Sequence, residues 1–109
     1  MDLESQLNST QFLYLNTTGW KSGKIHKIEI WFVEFNKKYY IVSERGERAH
    51  WVQNIEHNPA IKFEISNKMY EGTARIIDPL KESELATRIS KLMDSKYKWS
   101  QGLIVEIIP

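Results

Sequence analysis

The chain contains no cysteine, which excludes disulfides, thiolate nucleophiles and every metal or iron–sulfur site built on cysteine ligands. Glycine is scarce, five residues in 109, and the few present form neither a dinucleotide-binding fingerprint nor a Walker phosphate loop. A G-x-S-x-G nucleophile elbow is missing as well. The three histidines, His26, His50 and His57, are scattered without metal-ligand spacing. Hydrolytic and metal chemistry therefore find little support, and no metal is expected. No apolar run exceeds four residues, as from Ile30 to Val33, far short of the roughly 18 that a membrane span needs. The start, Met1-Asp2-Leu3-Glu4, is acidic with no apolar run behind it, so no signal peptide is expected. These absences together read as a soluble, cytoplasmic protein with no membrane insertion. The formal charge of +1 gives no sign of a nucleic-acid partner.

What is present is an ordinary apolar share, 41%, and a generous aromatic one, 12%, with Trp20, Trp31, Trp51 and Trp99. Aromatic side chains bury much area per residue, so a short chain reaches a sufficient core with few of them. The length predicts a single domain over residues 1–109. Residues 2–9 read as a helical turn or a loose tail, and Phe12 to Leu15 as a strand. The clearest signal follows, from Lys24 to Phe35. There Ile28, Ile30 and Phe32 alternate with Lys27, Glu29, Trp31 and Val33, which places the two sets on opposite faces of a sheet. Asn36-Lys37-Lys38 turns the chain back into a strand from Tyr39 to Ser43. Arg48 to His57 has helical spacing and stops at Asn58-Pro59. Ala60 to Ile65 and Met69 to Ile77 form a second hairpin, with Gly72 marking a bulge or a close backbone approach. Asp78-Pro79 reads as an N-cap and first helical position for a helix to about Lys96, with Leu85, Ile89, Leu92 and Met93 as its apolar stripe. Tyr97 to Gln101 is a connecting loop, and Leu103 to Ile108 a last strand. Strand, hairpin, helix, hairpin, helix, strand predicts a mainly β fold: an antiparallel sheet curled into a small barrel with flanking helices.

Two segments carry candidate chemistry. Thr17, Thr18, Lys21 and Ser22 share a loop with Gly19 and Gly23. A cation, hydroxyls and open backbone N–H groups are what a phosphate needs, and the same residues also suit a plain solvated turn. Ser43 to Asn54 joins a strand end to Arg45, Arg48 and a helix on which Trp51 and Asn54 stand three apart, on one face. An indole and an amide so placed suit a ring-binding pocket, and equally a core anchor with a backbone cap.

The ordered series Thr17-Thr18-Gly19-Trp20-Lys21-Ser22-Gly23-Lys24, Ile28-Glu29-Ile30-Trp31-Phe32-Val33, Trp51-Val52-Gln53-Asn54-Ile55, Asn58-Pro59-Ala60-Ile61-Lys62-Phe63 and Tyr70-Glu71-Gly72-Thr73-Ala74-Arg75 resembles the deazaflavin-dependent nitroreductase family. That family sits within the FMN-binding split barrels that include pyridoxamine 5'-phosphate oxidase. The resemblance implies a six-stranded antiparallel split β-barrel with two to three flanking helices. It implies FMN or an 8-hydroxy-5-deazaflavin coenzyme, a small-molecule redox substrate (a quinone, nitroaromatic or enone) and a homodimer. By position it implies that Lys21 and Ser22 face the cofactor phosphate. The backbone of Glu29, Ile30 and Trp31 would run along the ring edge. Ser43, Trp51 and Asn54 match the family's serine, tryptophan and asparagine. Arg45 and Arg48 stand near a cation it places after that serine, and Tyr97 falls in a region that lines the acceptor pocket. Tyr97 there reads as a catalytic hydrogen-bond donor or as a tyrosine packed on the barrel, and Trp99 has the same two readings. Trp20 and His26 stand where the family often has arginine, and Glu29 where it has proline; His26 is kept as a cofactor-site candidate. Two other readings stand beside the oxidoreductase: a non-catalytic flavin- or haem-binding barrel, and a nucleic-acid-binding barrel, which the near-neutral charge disfavours.

Overall fold

The structure, a computed structural model, describes residues 11–109; the expected turn or tail at 2–9 lies outside them. Among the described residues six strands form the sheet: β1 (Phe12–Thr18), β2 (Ile25–Phe35), β3 (Lys38–Ser43), β4 (Ala60–Ile65), β5 (Lys68–Ile76) and β6 (Leu103–Ile108). All pairings are antiparallel. They close a barrel in the order β1-β2-β3-β6-β5-β4, the ring being completed by β4 on β1. The two hairpins turn on two residues each, Asn36-Lys37 and Ser66-Asn67, all with positive φ. Such turns match the right-handed twist of the strands they join, so Lys38 and Lys68 already belong to strands rather than to the turns.

The alternation in β2 sorts as expected. Ile28, Ile30 and Phe32 face the barrel interior with Leu13, Leu15, Ile41, Phe63, Val105 and Ile107. Trp31 and Val33 face outward, into a second core with Tyr40, Val42, Ile77 and Ile104. Among the described residues two helices complete the fold: α1 (His50–His57) and α2 (Ser83–Tyr97). Helix α1 sends Ile55 into the interior core, and Ile89 and Met93 of α2 cover the outer one. Burying apolar faces on both sides of one curled sheet gives a short chain two cores.

Both helices begin later than the sequence suggests. Before α1, Gly46–Arg48 makes a single 3₁₀ turn and Ala49 is extended (φ −63°, ψ 133°), which separates Arg48 from the helix. Before α2, Asp78 does act as a capping residue, but of a tight turn. Its side chain accepts the Leu80 N–H (2.9 Å) and its carbonyl accepts those of Lys81 and Glu82. Glu82 then leaves helical geometry (φ −124°, ψ 53°), so α2 starts at Ser83. At the other end α2 runs through Tyr97 and stops at Lys98 in the left-handed region (φ 58°). Gly72 is a close approach: a Cβ there would run into the Ile108 carbonyl oxygen.

Candidate cofactor-binding site

The seam between β2 and β3 is incomplete. Strand β2 pairs with β1 from Ile25 to Trp31, but with β3 only from Phe32 to Phe35. Beyond that point β3 stays on β6, Val42 opposite Ile104 and Ser43 opposite Leu103, and parts from β2. The N-terminal half of β2 therefore has one edge without a partner strand. The bond from the Phe32 N–H to the Gln11 carbonyl (3.3 Å) sets the phase of the ladder. Alternation then turns the backbone N–H and C=O of Glu29 and Trp31 into the gap. An open strand edge invites pairing with another group that carries donors and acceptors in a row.

A cleft of about 680 Å³ occupies this gap. Glu29, Ile30 and Trp31 form one lip and Val42, Ser43, Glu44 and Arg45 the other, with Trp51 of α1 and Ala49 behind and Phe12 and Trp99 at one end. The size and the aromatic rings of Phe12, Trp31, Trp51 and Trp99 in its wall suit a planar organic ligand. The wall is held from the outside. The Trp31 ring stacks on Tyr97 (centroids 4.7 Å apart, planes within 2°) and meets Trp99 edge-on at 6.0 Å. The Tyr97 hydroxyl proton lies between the carbonyl oxygens of Gln11 (2.7 Å) and Phe32 (2.5 Å), and the oxygen accepts the Phe32 N–H at 3.1 Å. Burial raises the Tyr97 phenol to about 12, partly offset by its bond to Phe32. On the other lip, the Ser43 hydroxyl donates to the Gly46 carbonyl (2.9 Å) and shapes the chain after β3.

A second basin, about 610 Å³, adjoins the first through Arg45, Ala49 and Trp51. Gly19, Trp20, Lys21, Ser22 and His26 of the loop face Gln53 and Asn54 of α1 across it. Its charged lining among the described residues is cationic, Lys21, Lys27 and Arg45, of which Lys27 also reaches Glu64 at 3.7 Å; His26 and His50 line it too. Asn54 joins the two sides. Its amide donates to Thr17 Oγ1 (3.0 Å) and its Oδ1 accepts the Trp20 N–H (3.2 Å). The Trp20 ring stacks on His57 at 4.1 Å, and Lys21 Nζ lies 4.8 Å from the Trp20 centroid. Ser22 Oγ accepts the Lys24 N–H (3.2 Å), closing the loop's own turn.

The structure thus brings together Lys21, Ser22, His26, Arg45, Trp51 and Asn54 in one basin and Glu29, Ile30, Trp31, Ser43, Arg45 and Trp51 in the other. Arg48 lines neither. Tyr97 lies behind Trp31 with its hydroxyl engaged by β2 and Gln11, off the cleft lining. Asn54 is 5% exposed, and its amide is spent on the loop. The sequence reading missed Phe12, Val42, Glu44 and Ala49 as cleft residues. Val42 and Glu44 join the lining because β3 parts from β2, Phe12 because it pairs with Trp31, and Ala49 through the extended residue before α1; no local motif carries these placements.

Known proteins share this architecture. The haem storage protein HutZ from Vibrio cholerae superimposes with a TM-score of 0.78 at 15% identity, over 98% of this chain and 87% of that one. A putative pyridoxamine 5'-phosphate oxidase from Listeria innocua gives 0.75 at 14%, over 98% and 90%. These likenesses show the split-barrel fold. An F420-H2 dependent reductase gives 0.62 at 25% identity, over 90% of this chain and 94% of that one. No curated protein matches the sequence significantly. Residues 2–106 match a protein family that bridges the deazaflavin resemblance and the open-seamed barrel, and the chain belongs to it: the F420H(2)-dependent quinone reductases.

Proposed function

We propose that this protein is an oxidoreductase that holds a reduced 8-hydroxy-5-deazaflavin coenzyme and passes a hydride to a small organic acceptor of the quinone class. The observation that carries the reading is the open β2 edge at Glu29 and Trp31, facing a planar cleft continuous with a cationic basin. The residues present fit such a coenzyme. Backbone donors and acceptors at Glu29 and Trp31 match the polar edge of a tricyclic ring, Trp51 offers an apolar flank, and Lys21 and Arg45 suit an anionic tail. The coenzyme supplies the hydride chemistry; the protein supplies position, electrostatics and exclusion of water.

The roles of the chain's own residues follow from the geometry. Lys21 and Arg45 bind the tail, with Ser22 and His26 beside them. Asn54 fixes the loop that carries Lys21, so it acts on the tail through position. Ser43 shapes the second lip. Tyr97 acts as a positioning residue: it locks Trp31 and the β2 backbone, and its proton is committed to carbonyl oxygens. FMN, with one phosphate, is the competing cofactor. A homodimer is part of the proposal, to be checked by the protein's mass in solution.

Side-by-side titration with FMN and the deazaflavin coenzyme, followed by tryptophan quenching and the visible spectrum, tests the reading. Tighter binding of the deazaflavin, and oxidation of its reduced form by menadione, is the expected result. A protein that binds a flavin or haem without turnover would be a carrier instead.

A further inference from the structure

The two basins differ in charge. Among the described residues the tail basin has no carboxylate in its lining, whereas Glu29 and Glu44 stand on the two opposite lips of the ring cleft. Both are exposed, and among the described residues neither takes part in an ion pair. Arg45 is the one cation lining the cleft among the described residues, and it sits where the cleft meets the tail basin. A phosphorylated tail in that basin would engage Arg45 and leave the cleft with two uncompensated carboxylates. The wall between them is flat and fixed, because Trp31 is clamped by Tyr97 and braced by Trp99.

We infer that Glu29 and Glu44 select the acceptor by charge, so that the cleft takes flat aromatic acceptors that are neutral or cationic and rejects those carrying an anionic group. The inference rests on the proposed quinone reductase reading and names its substrate class. A quinone reduced here gains a hydride and a proton, two electrons and two protons in all, drawn from the reduced coenzyme and solvent, and leaves as the hydroquinone. A sulfonate or carboxylate on the ring would have to lie between two like charges at the mouth. Two charges a few ångströms apart near a protein surface repel enough to change affinity severalfold. Because both carboxylates are wet, added salt weakens the effect.

The test compares 1,4-naphthoquinone with its 2-sulfonate, in wild type, Glu44→Gln and the Glu29→Gln/Glu44→Gln double variant. Two readouts are used: steady-state oxidation of the reduced deazaflavin coenzyme, and quenching of tryptophan fluorescence by each quinone at equilibrium with the oxidised coenzyme bound. The ratio of sulfonate to neutral KM, and the same ratio of dissociation constants, should fall about three- to tenfold in the double variant and by less in the single one. In wild type the ratio should also fall between 20 mM and 500 mM salt, and in the double variant it should be flat. Ratios that do not move with the substitutions or with salt would overturn the inference. If the neutral quinone is never reduced, the quinone reductase reading fails, and the quenching ratios still decide whether the two carboxylates select by charge.

Discussion

At the scale of single residues, the site divides into groups that would touch a ligand and groups that hold them. Lys21 is exposed and makes no hydrogen bond that shapes the fold. Replacing it with alanine should weaken coenzyme affinity by about 1–3 kcal/mol, the usual worth of a charge-assisted contact, and leave the thermal midpoint unchanged. Isothermal titration and a melting curve check the two halves. Asn54 should behave differently. It is buried, and its amide satisfies both Thr17 and the Trp20 N–H. Asn54→Ala strands two polar groups and should cost about 1–3 kcal/mol of stability. Coenzyme affinity should fall with it, because the Lys21 loop is no longer held. Chemical denaturation beside the same titration separates the two residues: one moves binding alone, the other moves both. The sequence named both positions but not this difference, since the partners of Asn54 lie 34 and 37 residues away.

At the scale of elements, β2 and α2 act as one unit. Tyr97, the last residue of α2, reaches the β2 backbone at Phe32 across 65 positions, and Lys96 Nζ reaches the same carbonyl at 3.2 Å. Burial raises the Tyr97 phenol from its ordinary value of 10 to about 12. Above pH 10 the unfolded chain loses this proton while the folded one keeps it, so the stability tied to the neutral phenol declines as pH rises from 10 toward 12. Urea midpoints between pH 8 and pH 11 should fall in wild type. In Tyr97→Phe they should start lower, for want of the hydroxyl's bonds, and fall less. An equal slope in both proteins would assign the alkaline loss to other groups. The strands and hairpins were legible because period-2 alternation and short polar turns are local signals. The start of α2 was not, because an aspartate before proline caps a one-turn bend as well as a helix. The nitroreductase-like motifs located the loop and α1, but the commitment of Tyr97 to backbone carbonyls depends on how α2 lands, which no local pattern encodes.

At the scale of the whole molecule, an open seam is stable only if its lips are anchored elsewhere, and β3 is anchored through a carboxylate. Glu106 of β6 is 1% exposed. It accepts the Tyr40 hydroxyl of β3 (2.7 Å) and Arg75 Nε of β5 (3.1 Å), and Arg75 continues to Glu82, at the entry to α2, with bonds of 2.7 and 2.9 Å. One buried acid therefore ties three adjacent strands and a helix start, on the side of β3 opposite the gap. The interior of β6 otherwise reads as an apolar strand, so Glu106 drew no notice in the sequence. Glu106→Ala leaves the buried Tyr40 hydroxyl without its partner, while the half-exposed Arg75 keeps Glu82, and it should cost about 1–3 kcal/mol, a large share of the stability of a small domain. Glu106→Gln keeps the shape and one acceptor and should cost less, so it serves where the alanine variant does not fold. The Arg75 guanidinium holds the Glu82 carboxyl below its usual range. The stability this lends is present above the ordinary carboxylate value and is lost as pH falls through the lowered one. Denaturation midpoints between pH 7 and pH 3 should therefore decline less steeply in Glu82→Gln than in wild type. If the anchor holds the lip, Glu106→Gln should also weaken coenzyme binding under conditions where the variant is fully folded. Unchanged affinity there would mean that pairing with β6 alone fixes β3.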